Sequence, residues 1–402
     1  MVLKHSEDLT DTEVRLNGQP LDDTDTIMLE DHLTAIDQQV RMVFFGDTRE
    51  LTKNAADIVK AESTDQIERS ITVIVPAYNA AATLGDCLQA IRKLSHPIKE
   101  IIVYIDGATD DTELIARSAG ANIIVNSGKP IGPGGGRNEA AAAASGEFVL
   151  FVDADVIVEP SSLGLLIADI DTNGAVAAFG SYDTSPRSSR VASFYANLRH
   201  HHFHQHSSRN ASTFWTGMGL IRRDIFLNSG GFDVEKYRHP SIEDVELGMR
   251  IVSQGYRIRL VPEALSKHCK DWTIQNVWHT DIVRRAYPWS KLLIDGVGGA
   301  VDLNLGRKER VIAVLALAII TFALFSLVQP ALLFIVGIFS ALYIYLNNSF
   351  FALLFRVLSF PKMIGAMLMH FCYHIYSPAT FAFALGKQRL SYIYQKPTST
   401  DA

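Results

Sequence analysis

Phe151-Val152-Asp153-Ala154-Asp155-Val156 is the stretch on which the reading of this chain turns. The apolar run Phe148 to Val152 has the length and composition of a buried strand, and two carboxylates one residue apart follow it directly. A buried strand has no use for charge, so the carboxylates belong where the strand emerges, at its C-terminal end. In open α/β sheets that edge is where ligands bind. Two hard oxygen donors at the mouth of a sheet suit Mg²⁺ or Mn²⁺ carrying a substrate's phosphates. An isolated acidic pair at a strand end is common and most often only bounds a turn, so the flanking sequence has to decide.

Upstream, strands alternate with helices from Ile71 onward. Ile71 to Val75 reads as a strand closed by Pro76-Ala77-Tyr78-Asn79, and a helix with Leu84, Leu88 and Ile91 on one face follows. Ile101 to Ile105 is the next strand, ending in Asp106-Gly107-Ala108-Thr109-Asp110-Asp111-Thr112, where Thr109 or Asp110 can cap the next helix. Ala121 to Val125 is a third. The loop Gly128 to Gly136 then leads into an alanine-rich helix through Ala144, with Arg137 placed at the start of that helix to meet an anion or a base edge. No Gly-Lys-Ser/Thr ends the loop, so it is not a phosphate-binding loop of that type. The rhythm predicts an α/β domain, a Rossmann-like, mostly parallel sheet with helices on both faces.

The whole chain has 402 residues, room for two or three domains, and a net charge of −6 whose acidic excess is dispersed, which argues against a nucleic-acid partner. Cys87, Cys269 and Cys372 lie too far apart for a metal spacing or a disulfide framework and fit a reducing cytosolic setting. The N-terminal residues lack the apolar core of a signal peptide. Residues 1–69 form an acidic extension with one expected amphipathic helix, Leu29, Leu33, Ile36, Val40 and Phe44 being at helical spacing.

Val73-Ile74-Val75-Pro76-Ala77-Tyr78-Asn79, Asp106 to Thr112, Gly136-Arg137-Asn138 and Asp153-Ala154-Asp155 occur in the order of a family 2 glycosyltransferase of GT-A fold. Phe214-Trp215-Thr216-Gly217, Gly230-Gly231-Phe232-Asp233 and Glu243-Asp244 continue the resemblance, which covers roughly residues 70–290. It implies a nucleotide-diphosphate sugar donor held by Pro76, Tyr78, Asp106, Arg137 and Asp153, and an acidic metal site at Asp153 and Asp155. The family's aspartate pair at the second strand is reduced here to Ile105-Asp106. Chemistry alone points the same way, since a leaving nucleoside diphosphate gathers negative charge that a divalent cation stabilises. Asp155 is the expected direct ligand. His268, in Ser266-Lys267-His268-Cys269-Lys270, either completes the coordination or stands as a loop histidine.

On the acceptor side the resemblance places Trp215, Gly217, Arg285 and Trp289, with Asp244, beside Glu243, as the base that takes a proton from an acceptor hydroxyl. Carboxylates there could also simply cap a helix. The stretch Ser193 to Ser208 carries His200, His201, His202, His204 and His206, but no cysteine or second half of a ligand set lies near, so composition is a weak warrant for zinc. Arg285-Ala286-Tyr287-Pro288-Trp289 departs from the Q/R-x-x-R-W of processive synthases by having Pro288 in place of the second arginine. That argues for transfer of a single sugar.

After Arg307-Lys308-Glu309-Arg310 the chain turns apolar. Val311 to Val328 and Ala331 to Leu346, separated by Gln329-Pro330, read as a hairpin of two membrane spans, and Met363 to Leu385 as a third segment weakened by His370, His374 and Pro378. The expected organisation is a GT-A domain over 70–300, a membrane region over 301–390 and a polar tail over 391–402. The basic cluster puts the catalytic domain on the cytosolic side of a bacterial inner or plasma membrane. The expected activity is a membrane-anchored, metal-dependent, inverting transfer of one sugar to a lipid-linked or glycan acceptor. The alternatives are a processive polysaccharide synthase and a non-catalytic nucleotide-sugar-binding scaffold.

Overall fold

A computed structural model describes residues 15–16, 19–20, 69–296 and 306–395, the side chains of 15–16, 19–20 and 391–395 excepted. The helix expected over Leu29 to Phe44 lies outside the described residues. The chain divides into Met1–Glu68 and Arg69–Ala402. In the first unit Arg15–Leu16 pairs antiparallel with Gln19–Pro20.

The second unit is built on strands β1 (Ile71–Ala77), β2 (Glu100–Asp106), β3 (Asn122–Asn126), β4 (Phe148–Val152), β5 (Val156–Val158), β6 (Ala177–Tyr182), β7 (Asn210–Ala211), β8 (Met218–Arg222) and β9 (Ile258–His268). Their order is β3-β2-β1-β4-β8-β6-β9-β5, with β7 also on β9. Strands β3, β2, β1 and β4 are parallel. The other half is mixed: β8 runs antiparallel to β4 and β6, β9 is parallel to β6, and β5 and β7 are antiparallel to β9. The sheet is therefore mixed rather than mostly parallel. Beyond β4 the connections are uneven, from the three residues between β4 and β5 to the helices and loops between β8 and β9.

Helices α1 (Leu84–Ile91), α2 (Thr112–Ser118), α3 (Gly132–Ala143), α4 (Ser162–Asn173), α5 (Val191–His206), α6 (Arg223–Asn228) and α7 (Glu243–Ser253) cover the sheet. Side-chain alternation divides the core in two. Val73, Val75, Val103, Leu150 and Val152 face the cluster under α1 and α4. Ile74, Ile102, Tyr104, Val149 and Phe151 face the opposite cluster under α3, α6 and α7.

The glycine run expected as a loop is inside α3, which begins at Gly132. Glycine disfavours helix by about 1 kcal/mol per residue, but packing requires it here: a Cβ on Gly136 would lie 2.5 Å from the Tyr104 ring. Arg137 consequently sits in the second turn of the helix, not at its start.

After β9 come α8 (Ile274–His279), a π-helical turn (Thr280–Ala286), α9 (Tyr287–Ile294), α10 (Arg307–Phe325), α11 (Leu333–Leu346), α12 (Asn348–Val357) and α13 (Phe360–Gln395). α10 to α13 share a third core with α5, including Tyr195, Leu198, Ile312, Tyr343, Phe350 and Tyr373. One face of the segment 363–385 is thus packed against protein. Among the described residues no single helix is long and apolar enough to cross a membrane. The pair 330–346 and 348–357 meets that test jointly, across a 72° bend. At and beyond the α10–α11 turn Phe325, Leu327, Val328 and Phe334 stand in the open, Val328 at 86% exposure.

Candidate active site

The parallel strands place β1 and β4 side by side with their crossovers running in opposite directions, and a ligand crevice is expected at that switch point. The loops after β1 and β2 are stitched together there. Asn79, held at φ +47, accepts a hydrogen bond from the Thr109 backbone N–H (2.8 Å), and Thr112 Oγ1 accepts one from the Ala80 N–H (2.7 Å). Pro76 closes β1 and leaves Tyr78 exposed at its mouth. Asp106 is not open to a ligand. Its carboxylate is buried and accepts from Ile131 N–H (3.0 Å), Gly132 N–H (2.8 Å) and Asn126 Nδ2 (2.9 Å), so it fastens the start of α3.

Arg137 is the central cation. It is 3% exposed, donates to Asp153 Oδ1, and has its Nη1 3.9 Å from Glu243 Oε1. It therefore joins the end of β4 to the start of α7. Its neighbour Asn138 bonds both the N–H and the C=O of Phe232 at 2.9 Å, which ties the Gly230-Gly231-Phe232-Asp233 turn to α3. Asp153 N–H donates to Gly217 C=O (3.4 Å) and Thr216 N–H to Asp244 Oδ2 (3.4 Å), bringing the Trp215-Thr216-Gly217 segment between the two acidic clusters. Gly217 is required in that position, because a Cβ would lie 2.2 Å from the Trp215 indole.

Burial pushes the Asp153, Asp155 and Glu243 carboxyls up, and Arg137 opposes the shift at all three. Burial and then the Glu243 charge lift Asp244 to about 7. An acid in that range can take up and release protons near neutral pH.

His268, buried at the end of β9, puts Nε2 3.8 Å from Asp155 Oδ2. That separation is beyond hydrogen-bond reach. Burial first, and Lys270 second, lower His268 to about 3, so its imidazole is neutral and able to ligate. Asp153, Asp155 and His268, the candidate metal residues, lie at the same edge of the sheet. Among the described residues no group of three or more His, Cys, Asp or Glu is placed to hold a metal ion, and Asp153 is drawn off by Arg137. Asp155 and His268 remain as an open oxygen–nitrogen pair. Such a pair fits Mg²⁺ or Mn²⁺, which take few protein ligands when substrate phosphates supply others.

A wall of rings runs on from His268, and of its members only Tyr182 had no signature in the sequence. Tyr182 stacks on His268 (4.3 Å, 12°) and tilts onto His200 (4.5 Å), which meets Trp215 (4.7 Å) and His204 (3.9 Å). His200 and His204 share a face of α5 as i, i+4 neighbours. His200 Nδ1 is buried without a hydrogen-bond partner. Burial keeps both rings neutral, His204 at about 4, and His204 Nδ1 lies 2.9 Å from the Gly180 carbonyl, so these two residues pack into the wall.

Trp289 packs with Tyr237, Ile242, Met249 and Leu292; its Nε1 and the Tyr237 hydroxyl are both buried and unpartnered. Arg285 stands half-exposed in the π-helical turn.

Residues 72–229 match the glycosyl transferase family 2 description. The chain is 28% identical over 246 residues to the O-antigen chain rhamnosyltransferase WbaN of Salmonella anatum, an alignment covering 57% of this chain and 77% of that one. With the poly-beta-1,6-N-acetyl-D-glucosamine synthase of Staphylococcus epidermidis it shares 25% over 255 residues, 60% of this chain and 59% of the synthase. The mannosyltransferase PcManGT of Pyrobaculum calidifontis, solved with GDP-Man and Mn²⁺, aligns at 18% identity and TM-score 0.48 over 88% of this chain and 97% of its own. The chain is a glycosyltransferase.

Proposed function

We propose that this glycosyltransferase is metal-assisted and membrane-associated, and moves one sugar, with inversion, from a nucleotide-diphosphate sugar to a lipid-linked or glycan acceptor. The observation carrying the reading is the convergence, at one edge of the sheet, of Asp155 with His268 and of a carboxylate, Asp244, poised near neutral pH. The relatives' names, a rhamnosyltransferase of the O-antigen chain and a synthase of poly-N-acetylglucosamine, support an acceptor of the glycan class.

Asp155 and His268 would hold the divalent cation, whose contribution is to stabilise negative charge on the leaving diphosphate. The chain's own residues supply the rest. Asp244 takes the acceptor hydroxyl's proton as that oxygen attacks the anomeric carbon and the bond to the nucleoside diphosphate breaks. Thr216 N–H orients Asp244. Arg137 keeps Asp153 and Glu243 in register, and the ring wall from Tyr182 to Trp215 excludes water and offers aromatic faces to a sugar. Pro288, in place of an arginine, favours single transfer over polymer extrusion. The exposed apolar tip of the α10–α11 turn, with basic residues at the foot of α10, favours a bilayer partner and a cytosolic catalytic domain.

Purified full-length protein incubated with a panel of nucleotide-sugars, native lipid extract and Mn²⁺ should release one nucleoside diphosphate. Asp155→Asn and Asp244→Asn should not. Equal release by either variant would overturn the assignment.

A further inference from the structure

Strand β9 ends at His268, opposite Val156 of β5, and the chain then continues alongside Asp155, whose C=O accepts from the Cys269 N–H at 2.8 Å. Lys270 comes next. Its C=O accepts from Ser193 Oγ of α5 at 3.4 Å, and the same Oγ accepts from the Trp272 N–H at 2.8 Å. The backbone is thus tied down on both sides of Lys270, to Asp155 before it and to α5 after it. The side chains at 268, 270 and 272 share one face. The buried Trp272 indole meets the His268 ring at 6.4 Å between centroids, and the Lys270 Nζ lies 4.3 Å from the same indole's centroid.

Charge pairing sets Lys270 apart from the basic residues around it. Lys267 holds Asp183 Oδ2 at 3.0 Å, Arg190 holds Asp271 Oδ2 at 3.2 Å, Arg187 holds Asp86 and Arg137 holds Asp153. Among the described residues no carboxylate pairs with Lys270, which is exposed and has the face of an indole as its neighbour. A ring face attracts a cation but leaves ammonium N–H donors for an anion. Burial pushes the Asp155 carboxyl up, and of the charges that oppose the push the Lys270 ammonium counts most.

We propose that Lys270 binds the diphosphate of the donor, beside the cation held by Asp155 and His268. This rests on the reading of the site as a nucleotide-diphosphate sugar transferase. Charge balance is the reason for a second cation. A divalent ion held by one carboxylate and one imidazole keeps a single net positive charge, whereas the donor carries a negative charge on each phosphate. When the bond from the anomeric carbon to the diphosphate oxygen breaks, its electron pair stays on that oxygen, and the diphosphate leaves with one negative charge more. A compact ammonium on a pinned backbone meets that charge as a point donor.

The test uses full-length, detergent-solubilised protein, titrated by calorimetry in Mn²⁺ with UDP, GDP, ADP, CDP and dTDP. Lys270→Met keeps an apolar stem on the indole and removes the charge. It should weaken binding of the cognate nucleoside diphosphate roughly tenfold, the scale of one hydrogen bond between charged groups, and flatten the salt dependence of that binding. Its Tm should stay that of the unaltered protein, and Lys270→Arg should restore most of the affinity. Unchanged diphosphate affinity in Lys270→Met would overturn the proposal. So would an equal loss in Lys270→Arg, which would mean that packing on Trp272 and not charge is at work. A defect confined to acceptor KM would put the anion on the acceptor and overturn it as well. If the unaltered protein binds none of the nucleoside diphosphates, the parent reading fails and this inference with it. If it binds one and Lys270→Met binds it equally, this inference alone fails.

Discussion

Asp244 shows how neighbours, more than identity, set a carboxylate's role. Burial lifts it, and Glu243 beside it lifts it further, to about 7. As a base it works ionised, so activity is lost as pH falls through the raised pKa and recovered above it. We expect kcat/KM to show an ascending limb near pH 7. Glu243→Gln removes the repelling charge and leaves Arg137 one carboxylate fewer to offset, and both changes favour the ionised form. The limb should therefore move to lower pH; a pH profile in which it stays put would remove Glu243 from this role. Asp244→Asn should lower kcat at least about a hundredfold with donor affinity little changed. Only a hydroxyl acceptor needs that base, so a near-wild-type rate would point to an acceptor already anionic, such as a phosphate. Asp155→Asn should remove the dependence on added Mn²⁺ together with turnover, and full activity of the unaltered protein in excess chelator would exclude the metal.

At the scale of elements, what could be read in advance was what is encoded locally. Each of β1 to β4 is followed by its own helix or motif within a few residues, so order and edge were legible from Ile71 to Asp155. The second half was not. Strand β6, Ala177-Ala178-Phe179-Gly180-Ser181-Tyr182, is small-residue and weak in β-propensity, and β5 has three residues whose pairing with β9 is made a hundred residues later. Asp153 and Asp155 were legible as an acidic pair closing an apolar strand, His268 as a histidine after a short strand, and Asp244 through the family resemblance. Tyr182 was missed, and His200 was read only as one of a histidine-rich stretch, because each acts through a tertiary contact and not a local pattern. The glycines of α3 misled for the same reason: local propensity says loop, while the Tyr104 ring demands a bare Cα in a helix. Gly217 carries the analogous demand in the site. Gly217→Ala would drive its methyl into the Trp215 indole. The expected result is a several-fold higher acceptor KM with diphosphate binding intact, and unchanged acceptor kinetics would argue that Trp215 does not meet the acceptor.

For the second unit as a whole, the question is where its apolar tip resides. The helices α10 to α13 bury one surface on α5 and leave Leu327, Val328, Phe334 and Phe355 exposed, each at more than 70%. Leu327 and Val328 adjoin in the α10–α11 turn, and an exposed apolar tip of that kind marks an interaction surface. The 19 residues of α10 give a rod of about 28 Å, whose first turn is charged and whose apolar part ends at the turn. Arg307, Lys308 and Arg310 at its foot can meet anionic headgroups while the tip enters hydrocarbon. Leu327→Glu with Val328→Glu puts two charges at the deepest point without touching the site. The doubly altered protein should move from the membrane pellet to the supernatant on flotation against anionic vesicles, while keeping diphosphate release with a water-soluble acceptor. Sidedness follows from the same basic foot. In a Cys372→Ser background, with Cys87 and Cys269 buried, a cysteine at the exposed Ser118 of α2 should escape a membrane-impermeant thiol reagent in intact cells and react once they are opened. Labelling before lysis would place the catalytic domain outside the cytosol and reverse the orientation.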